Sequence, residues 1–417
     1  MDARGVAGGP LAHLTVLDLS RVLAGPWCTQ LLADLGANVI KVERPGAGDD
    51  TRAWGPPYLK DAEGRDTTEA AYYLACNRGK RSVAIDFTTP DGQRLVRGLA
   101  MRADVLVENY KVGGLAKVGL DYASLAAELP RLVYCSITGF GQSGPYADRA
   151  GYDFIVQGMS GFMSVTGEAD GEPGGGPQKA GIAITDLMTG MYAAVAIQAA
   201  LAHRDRTGEG QHVDCCLMDS AVAMMAVMDM NYLVTGRAPG RIGNAHPNIV
   251  PYQTFACADG HIILAVGNDG QFARFCEAAG RAAWAADPRF AKNADRVRHR
   301  STLVPMIAEV VGTRSQREWL AALEPLGVPC GPINTLDQVF ADPHVVAHAM
   351  RRDLDHPLAG RVPQVGIPVG MSATPPGSRE APPLLGQHTR EVLRERLGID
   401  EAEIARLVAA RVVGVRD

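Results

Sequence analysis

The chain of 417 residues is long enough for two or three domains, and its 47% hydrophobic and 21% charged residues are typical of a globular protein. A net charge of -5 argues against general nucleic-acid binding, because no basic excess is available to neutralise phosphates. The eight cysteines are scattered and form no C-x-x-C pair, which favours reduced thiols in a cytoplasmic protein. The first residues do not resemble a leader peptide, and no stretch of ~20 uninterrupted apolar residues predicts a membrane span.

The first third of the chain alternates between predicted strands and helices. Helices are predicted at residues 30–35, 92–102 and 122–128, between strands at residues 14–19, 38–42, 82–87, 104–107 and 131–138. A strand, a helix and a strand within about 30 residues favour a parallel pair with a right-handed crossover. We therefore predict an α/β fold with a Rossmann-like parallel sheet, whose ligands bind beyond the C-terminal ends of the strands.

The pattern changes in the second half of the chain. After a strand that follows residues 206–211 and a helix at 218–233, residues 235–250 resemble a linker, and residues 252–266 predict a hairpin around Asp259-Gly260. Helices follow to about residue 325. We therefore expect a smaller α+β domain at residues 225–335 and a large domain formed by residues 1–224 and 336–417. The tail predicts a helix at 337–349, a Pro-rich strand at 382–389 and a helix at 389–410.

Asp186 is the most distinctive acidic residue of the chain. Residues 181–184 predict a short buried strand and residues 187–201 an apolar helix, which would make Asp186 the helix N-cap. Unpaired N–H groups and the helix dipole would keep its carboxylate ionised, as a nucleophile must be. A purely structural cap is the alternative. The Gly-rich residues 167–178, just before this stretch, form either a mobile lid or a surface loop.

Several familiar motifs do not fit their usual context. Residues 139–144 spell G-x-G-x-x-G but are followed by Pro145 rather than a helix, which argues against dinucleotide binding. The His344 and His348 pair lacks the glutamate of a zinc motif, so no metal site is predicted. No G-x-S-x-G occurs, and none of the cysteines lies in a setting that would activate it.

Basic and aromatic residues follow the C-terminal ends of several predicted strands. Together they form a positively charged rim suited to a ligand that carries phosphate: Arg44, Arg52, Asn109, Tyr110, Lys117, Arg149 and Tyr152.

The chain resembles the class III CoA-transferases. The resemblance is carried, in order along nearly the whole chain, by residues 23–49, 77–83, 107–110, 138–145, the Asp186 stretch, 206–211, 327–333 and 381–389. Within the family, residues 43–57, 149–153 and 249–253 are most similar to members that use succinyl-CoA and glutarate. Members are interlocked homodimers, so the resemblance implies a homodimer.

The resemblance implies that Asp186 attacks an acyl-CoA thioester and carries first a mixed anhydride and then an aspartyl-CoA thioester. It implies that CoA is a substrate, with no tightly bound cofactor, and that Arg44, Asn109, Tyr110, Lys117, Arg149 and Tyr152 bind it, with Ile85 near the adenine. Succinyl-CoA as donor and a dicarboxylate such as glutarate as acceptor are expected. Tyr152, His246 and Arg52 are candidates on the acceptor side, and Arg52 and Arg241 are suggested for the distal carboxylate by their charge alone.

Three alternatives remain open. A formyl-CoA:oxalate-type transferase would share the chemistry, although the Gly-rich acceptor loop of those enzymes is replaced here by residues 244–251. A 2-methylacyl-CoA racemase would need a histidine where this chain has Tyr152, and a non-catalytic acyl-CoA binding protein would not need Asp186.

Overall fold

The structure is a computed structural model that describes residues 8–378 and 380–416. The described chain divides into two compact units. The larger unit comprises the described parts of Met1–Ser160, Ala180–Ala226 and Pro343–Asp417, and the smaller comprises Gly161–Lys179 and Val227–Asp342. The chain therefore leaves the larger unit and returns to it twice.

The larger unit is built on a seven-stranded sheet. Its strands are β1 (Thr15–Asp18), β2 (Asn38–Glu43), β3 (Lys80–Ile85), β4 (Val105–Glu108), β5 (Val133–Thr138), β6 (His212–Cys216) and β7 (Val413–Gly414). Their order across the sheet is β7-β3-β2-β1-β4-β5-β6, and only β7 runs antiparallel. The first six strands follow the 3-2-1-4-5-6 order of doubly wound sheets, so the predicted parallel α/β architecture is confirmed.

Helices cover both faces of this sheet, because alternate strand residues point to opposite sides. Leu17 and Ile40 pack into one core and Val16 and Val39 into the other. The helices of the larger unit are Ala24–Asp34, Ala71–Leu74, Pro90–Ala100, Tyr122–Ala126, Asp153–Met159, Ile184–Thr207, Leu217–Met224, Pro343–Ala347, Thr389–Leu397 and Glu401–Ala409. Two antiparallel hairpins, Tyr58–Lys60 with Asp66–Ala70 and Arg351–His356 with Gly360–Val365, complete it.

The predicted strands of the first third are confirmed to within two residues. Several predictions elsewhere are wrong. Residues 181–184 form no strand, and the helix already begins at Ile184, leaving Ile182 57% exposed. Residues 382–389 form turns rather than a strand, and the expected helix at 389–410 is two helices separated at Gly398.

The smaller unit contains the predicted hairpin. Tyr252–Cys257 pairs with Gly260–Ala265, and Cys330–Gly331 adds a third strand. Phe255, Phe272 and Trp319 lie in the core of this unit. Its helices are Phe162–Val165, Val227–Thr235, Asp269–Ala278, Ala283–Ala286, Asn293–Arg298, Arg300–Val311, Gln316–Leu323 and Leu336–Ala341.

One continuous helix of the described residues, Ile184–Thr207, is long and apolar enough to cross a membrane by length and composition. Its Ala193, Ile197 and Leu201 side chains are buried in the core of the larger unit, as in the core helix of a globular domain. All eight cysteines are free thiols.

Candidate active site

Two neighbouring cavities lie at the C-terminal edge of the sheet, where β1 and β4 are adjacent and the chain leaves them in opposite directions. Such a switch point is where doubly wound sheets bind ligands. The first, here called the Asp186 cavity, measures about 260 Å³ and is lined by Asp186 and by residues 21–24, 109–112, 137–139, 147 and 149–152. The second, the Ile85 cavity, measures about 220 Å³ and is lined by residues 41–44, 48–50 and 85–88. Arg21, Asp50 and Tyr110 line both cavities.

Asp186 is the third residue of its helix rather than the N-cap. The capping carboxylate belongs to Asp153, whose Oδ1 accepts hydrogen bonds from the Thr185 backbone N–H at 2.8 Å and the Thr185 hydroxyl at 2.7 Å. The Asp186 N–H donates to the same oxygen at 3.4 Å. The predicted cap at Asp186 is therefore wrong. Because Asp153 satisfies the helix start, the Asp186 carboxylate remains available to the cavity.

The electrostatic surroundings of Asp186 differ from those expected. Burial, and then repulsion from the Asp153 carboxylate, raise the pKa of Asp186 to about 7. The expectation that the helix N-terminus keeps this carboxylate firmly ionised is therefore wrong, because these two opposing effects are larger. A carboxylate that titrates near neutral pH is a strong candidate for a functional group.

Two close backbone approaches fix the position of Asp186. At Gly190, one turn further along the helix, a Cβ atom would lie 2.6 Å from the Ala24 carbonyl oxygen, so only glycine lets the two helices approach this closely. At Gly139, a Cβ atom would lie 2.5 Å from the Gly151 Cα. This second contact holds the segment that carries Tyr152 and Asp153 against the end of β5.

The Ile85 cavity has an aromatic wall and a charged floor. The Phe87 and Tyr110 rings meet edge to face with centroids 5.9 Å apart. Tyr110 is fixed by its backbone N–H, which donates to Glu108 at 2.8 Å. Beneath them, Lys41 donates to Asp49 at 2.9 Å, and both side chains are fully buried. The cavity thus combines an aromatic surface with a rigid polar support, as small-molecule sites often do.

A model of the family described as CoA-transferase family III matches residues 11–389. The chain belongs to CoA-transferase family III. It is 54% identical to the succinate--glutarate CoA-transferase of Agrobacterium fabrum over 386 residues, and this alignment covers 93% of this chain and 95% of that protein. It is 42% identical over 404 residues to the succinyl-CoA:glutarate CoA-transferase of Homo sapiens, covering 97% and 90% of the two chains.

A solved structure shows the same fold. The crystal structure of a CAIB/BAIF family protein from Brucella suis superposes with a TM-score of 0.81 at 49% identity, covering 93% of this chain and all of that one. The predicted family is therefore confirmed, and CoA thioesters are the substrate class of the family.

The structure brings together most of the residues expected at the site of this CoA-transferase. Asn109, Tyr110, Arg149 and Tyr152 line the Asp186 cavity, and Arg44 and Ile85 line the other. Arg149 lies on the aromatic rings of Phe140 and Tyr146, and the Tyr152 side chain is exposed. Lys117 is exposed in the short 3-10 helix Leu115–Val118 and lines neither cavity.

Arg52 cannot bind a substrate carboxylate as suggested, because it is buried and fully engaged. Its guanidinium donates to Glu43 at 2.8 and 2.9 Å, to Glu69 at 3.1 Å and to the Pro383 carbonyl at 2.9 Å, and it lies 3.6 Å from the centroid of the Tyr73 ring. Although burial opposes ionisation, Arg52 holds the pKa of Glu43 below its usual value. Arg52 therefore ties the loop after β2 to the sheet.

His246 and Arg241 belong to the smaller unit. The His246 Nδ1 accepts a hydrogen bond from the Asn248 backbone N–H at 3.1 Å. Burial, followed by the positive charge of Arg300, lowers the pKa of His246. Arg241 is paired with Asp170 and donates to the Glu168 carbonyl, so it holds the Gly-rich loop of its own unit.

Residues that sequence reasoning missed include Arg21, Asp50, Asp153 and Tyr72. Burial, and then the charge of Asp186, raise the pKa of Tyr72 to about 12, so its hydroxyl stays protonated and can donate a hydrogen bond. Tyr72 meets the exposed Trp54 ring edge to face at 5.1 Å. The sequence feature that indicates a role for Arg21 is its place just after the first strand, at the switch point. The described residues contain no cluster of three or more histidine, cysteine or acidic side chains suited to a metal ion.

Proposed function

We propose that this protein transfers CoA from succinyl-CoA to glutarate, with Asp186 as the covalent nucleophile. The observation that carries the proposal is the half-buried Asp186 carboxylate, which lines a cavity at the switch point of a family III CoA-transferase. The succinyl donor and the glutarate acceptor are supported by relatives at 54% and 42% identity that bear those substrates in their names.

The first half-reaction moves the succinyl group and then CoA onto the enzyme. An Asp186 oxygen attacks the thioester carbon, the C–S bond breaks, and an anhydride and CoA thiolate form. The thiolate then attacks the aspartyl carbon and expels succinate, leaving an aspartyl-CoA thioester. The helix that begins at Ala24 has no side-chain cap, and Pro26 has no N–H, so the N–H groups of Ala24 and Gly25 are the donors available to the oxyanions of these steps.

The second half-reaction reverses these events with the acceptor. A glutarate oxygen attacks the aspartyl carbon and expels CoA thiolate, forming a second anhydride. The thiolate attacks the glutaryl carbon, and Asp186 leaves as a carboxylate. No net proton is exchanged, and the thioester bond is conserved. One oxygen atom of glutarate is left on Asp186, which distinguishes this route from direct transfer.

The transfer is tested by incubating succinyl-CoA with glutarate and following glutaryl-CoA and succinate by mass spectrometry. A panel of acceptors is compared: glutarate, 3-hydroxy-3-methylglutarate, itaconate, mesaconate, malate and oxalate. We expect glutarate to have the highest kcat/KM. A higher value for another acid would overturn the acceptor assignment, and solvent deuterium appearing at C2 of a 2-methylacyl-CoA would support an isomerase instead.

The nucleophile is tested by single turnover with glutarate labelled with heavy oxygen. We expect one heavy oxygen on the peptide that contains Asp186, and no transfer by Asp186→Ala, while CoA still binds. Asp205→Asn is the matched control, since this carboxylate lies on the same helix but is 61% exposed. Label that never reaches the protein, or unchanged turnover of Asp186→Ala, would exclude the covalent route.

We also propose that the protein is a cytoplasmic homodimer. The outer face of Ile184–Thr207 carries exposed apolar side chains, with Met191, Tyr192 and Val195 at 44%, 41% and 64% exposure. Exposed apolar side chains grouped along one helix support an interface with another chain. Sedimentation velocity tests the assembly, and a monomer at micromolar concentration would refute it.

A further inference from the structure

Arg21 occupies the switch point of the sheet, and its backbone is fixed there by the neighbouring strand. The Asn109 side chain, directly after β4, accepts from the Arg21 N–H at 2.8 Å and donates to the Arg21 carbonyl at 2.6 Å. The loops after β1 and β4 are thus joined by two hydrogen bonds at the place where the two cavities meet.

The next residue, Val22, holds a strained conformation that sets the direction of this loop. Its φ of 70° lies in the left-handed region, which is costly for a β-branched residue. The Val22 N–H donates to the Asp49 carboxylate at 3.2 Å, and the Cys76 thiol contacts the Val22 carbonyl oxygen at 3.6 Å. These partners enforce the strained conformation, so the fold fixes the backbone position of the neighbouring Arg21.

The Arg21 guanidinium has hydrogen-bonding capacity to spare. Its Nη1 donates to Asp50 at 2.9 Å in a solvent-accessible pair, with the side chains 43% and 52% exposed. Its Nε is buried and has no hydrogen-bond partner among the described residues. The group lies 5.1 Å from the centroid of the Tyr110 ring, which lines both cavities as well.

Each cavity alone is smaller than the ~300–1,000 Å³ typical of a site for a drug-sized ligand, and a CoA thioester is larger than such a ligand. If the thioester carbon lies at Asp186 and the adenosine against Ile85, the segment of CoA between them must pass Arg21. That segment contains the diphosphate, which carries negative charge. A planar guanidinium with free donors is the side chain that best matches phosphate oxygens.

We propose that Arg21 binds the diphosphate of CoA and exchanges its ion pair with Asp50 for this contact when substrate enters. The inference rests on the proposed function in one respect: a CoA thioester binds across both cavities. Asp50 is then a competitor for the guanidinium in the free enzyme, so it weakens the binding of CoA.

The contact is tested by measuring affinities for CoA, dephospho-CoA and pantetheine by calorimetry, directly or by displacement. A charged hydrogen bond contributes ~1.5 kcal/mol or more, so Arg21→Gln weakens CoA and dephospho-CoA by about tenfold each. Pantetheine, which lacks the diphosphate, is unaffected. Equal weakening of pantetheine would overturn the proposal, as would a loss confined to CoA, since that would assign Arg21 to the 3′-phosphate. Arg65→Gln, an exposed arginine in a hairpin turn, is the control.

The exchange is tested with a double-mutant cycle. Asp50→Asn tightens CoA binding in the presence of Arg21 and leaves it unchanged in the Arg21→Gln background. A purely structural role of Arg21 would not produce this dependence. Equal tightening in both backgrounds would show that Asp50 merely repels the charge of CoA. Weaker binding of CoA by Asp50→Asn would show that the ion pair with Asp50 orients Arg21. Either result refutes the exchange. Because binding is measured without turnover, failure of glutarate as acceptor leaves the test intact.

Discussion

Asp186→Asn is expected to abolish CoA transfer and, at the same time, to stabilise the fold above neutral pH. The wild-type side chain must bury a charge next to Asp153 once it ionises, whereas asparagine keeps nearly the same shape without that charge. The helix start is unaffected, because Asp153 caps it.

The magnitude follows from the pKa of Asp186, which lies at about 7 in the folded protein against 3.8 in a model peptide. A difference of about three pH units corresponds to ~4 kcal/mol. Because the group is only half-buried, solvent screening reduces this to about 2 kcal/mol. The folded state keeps the proton between pH 4 and pH 7 while the unfolded state has lost it, so wild-type stability falls as pH rises through that window.

The assay is thermal unfolding of wild type and Asp186→Asn at pH 5 and at pH 8. For a domain of this size 2 kcal/mol corresponds to about 4 °C in Tm, so the variant should melt about 4 °C higher at pH 8. At pH 5 the two should differ by less than half of that. A variant that is no more stable at pH 8, or a difference that does not grow with pH, would refute the assignment of a raised pKa to Asp186.

Two further predictions follow from the site. The acid limb of the kcat/KM profile is expected near pH 7, because Asp186 must ionise to attack. Asp153→Asn removes the neighbouring charge while keeping an acceptor oxygen, so this limb should move to lower pH. An unmoved limb would contradict the role of Asp153. Arg52→Gln leaves the buried Glu43 carboxylate without its partner and should lower the free energy of unfolding by about 3–5 kcal/mol. At a temperature where the variant is folded, its KM for glutarate should change little. Arg65→Gln should leave both quantities unchanged, and a raised KM with normal stability in Arg52→Gln would restore Arg52 to the acceptor site.

Much of the fold could be read from local sequence patterns. The strands around Val16, Val39 and Val105 are short apolar runs bounded by glycine or polar turns, and such runs specify buried parallel strands wherever they fall. The hairpin at Asp259-Gly260 likewise depends on two turn residues. These signals lie within a few residues of the structures that they predict.

The parts of the site that could not be predicted depend on partners far away along the chain. The cap of the Asp186 helix comes from Asp153, 33 residues earlier, so the residues next to Asp186 do not indicate it. Arg52 resembled a free cation in a polar loop, but one of its acceptors is the carbonyl of Pro383, 331 residues later. No local pattern reports such pairings.

The edge strand β7 has a consequence for how the protein folds. Val413 pairs with Ile85, which lines one of the two cavities, so the wall of that cavity is completed by the joining of segments about 330 residues apart. Closing a loop of that length costs on the order of 5 kcal/mol of chain entropy before the pairing contributes anything. During synthesis the earlier strands can assemble first, and the last helices and β7 can dock only when their residues have been made. We therefore expect a long-lived intermediate with an ordered parallel sheet and an unfinished cavity, which would unfold at lower denaturant concentration than the native enzyme and bind CoA poorly.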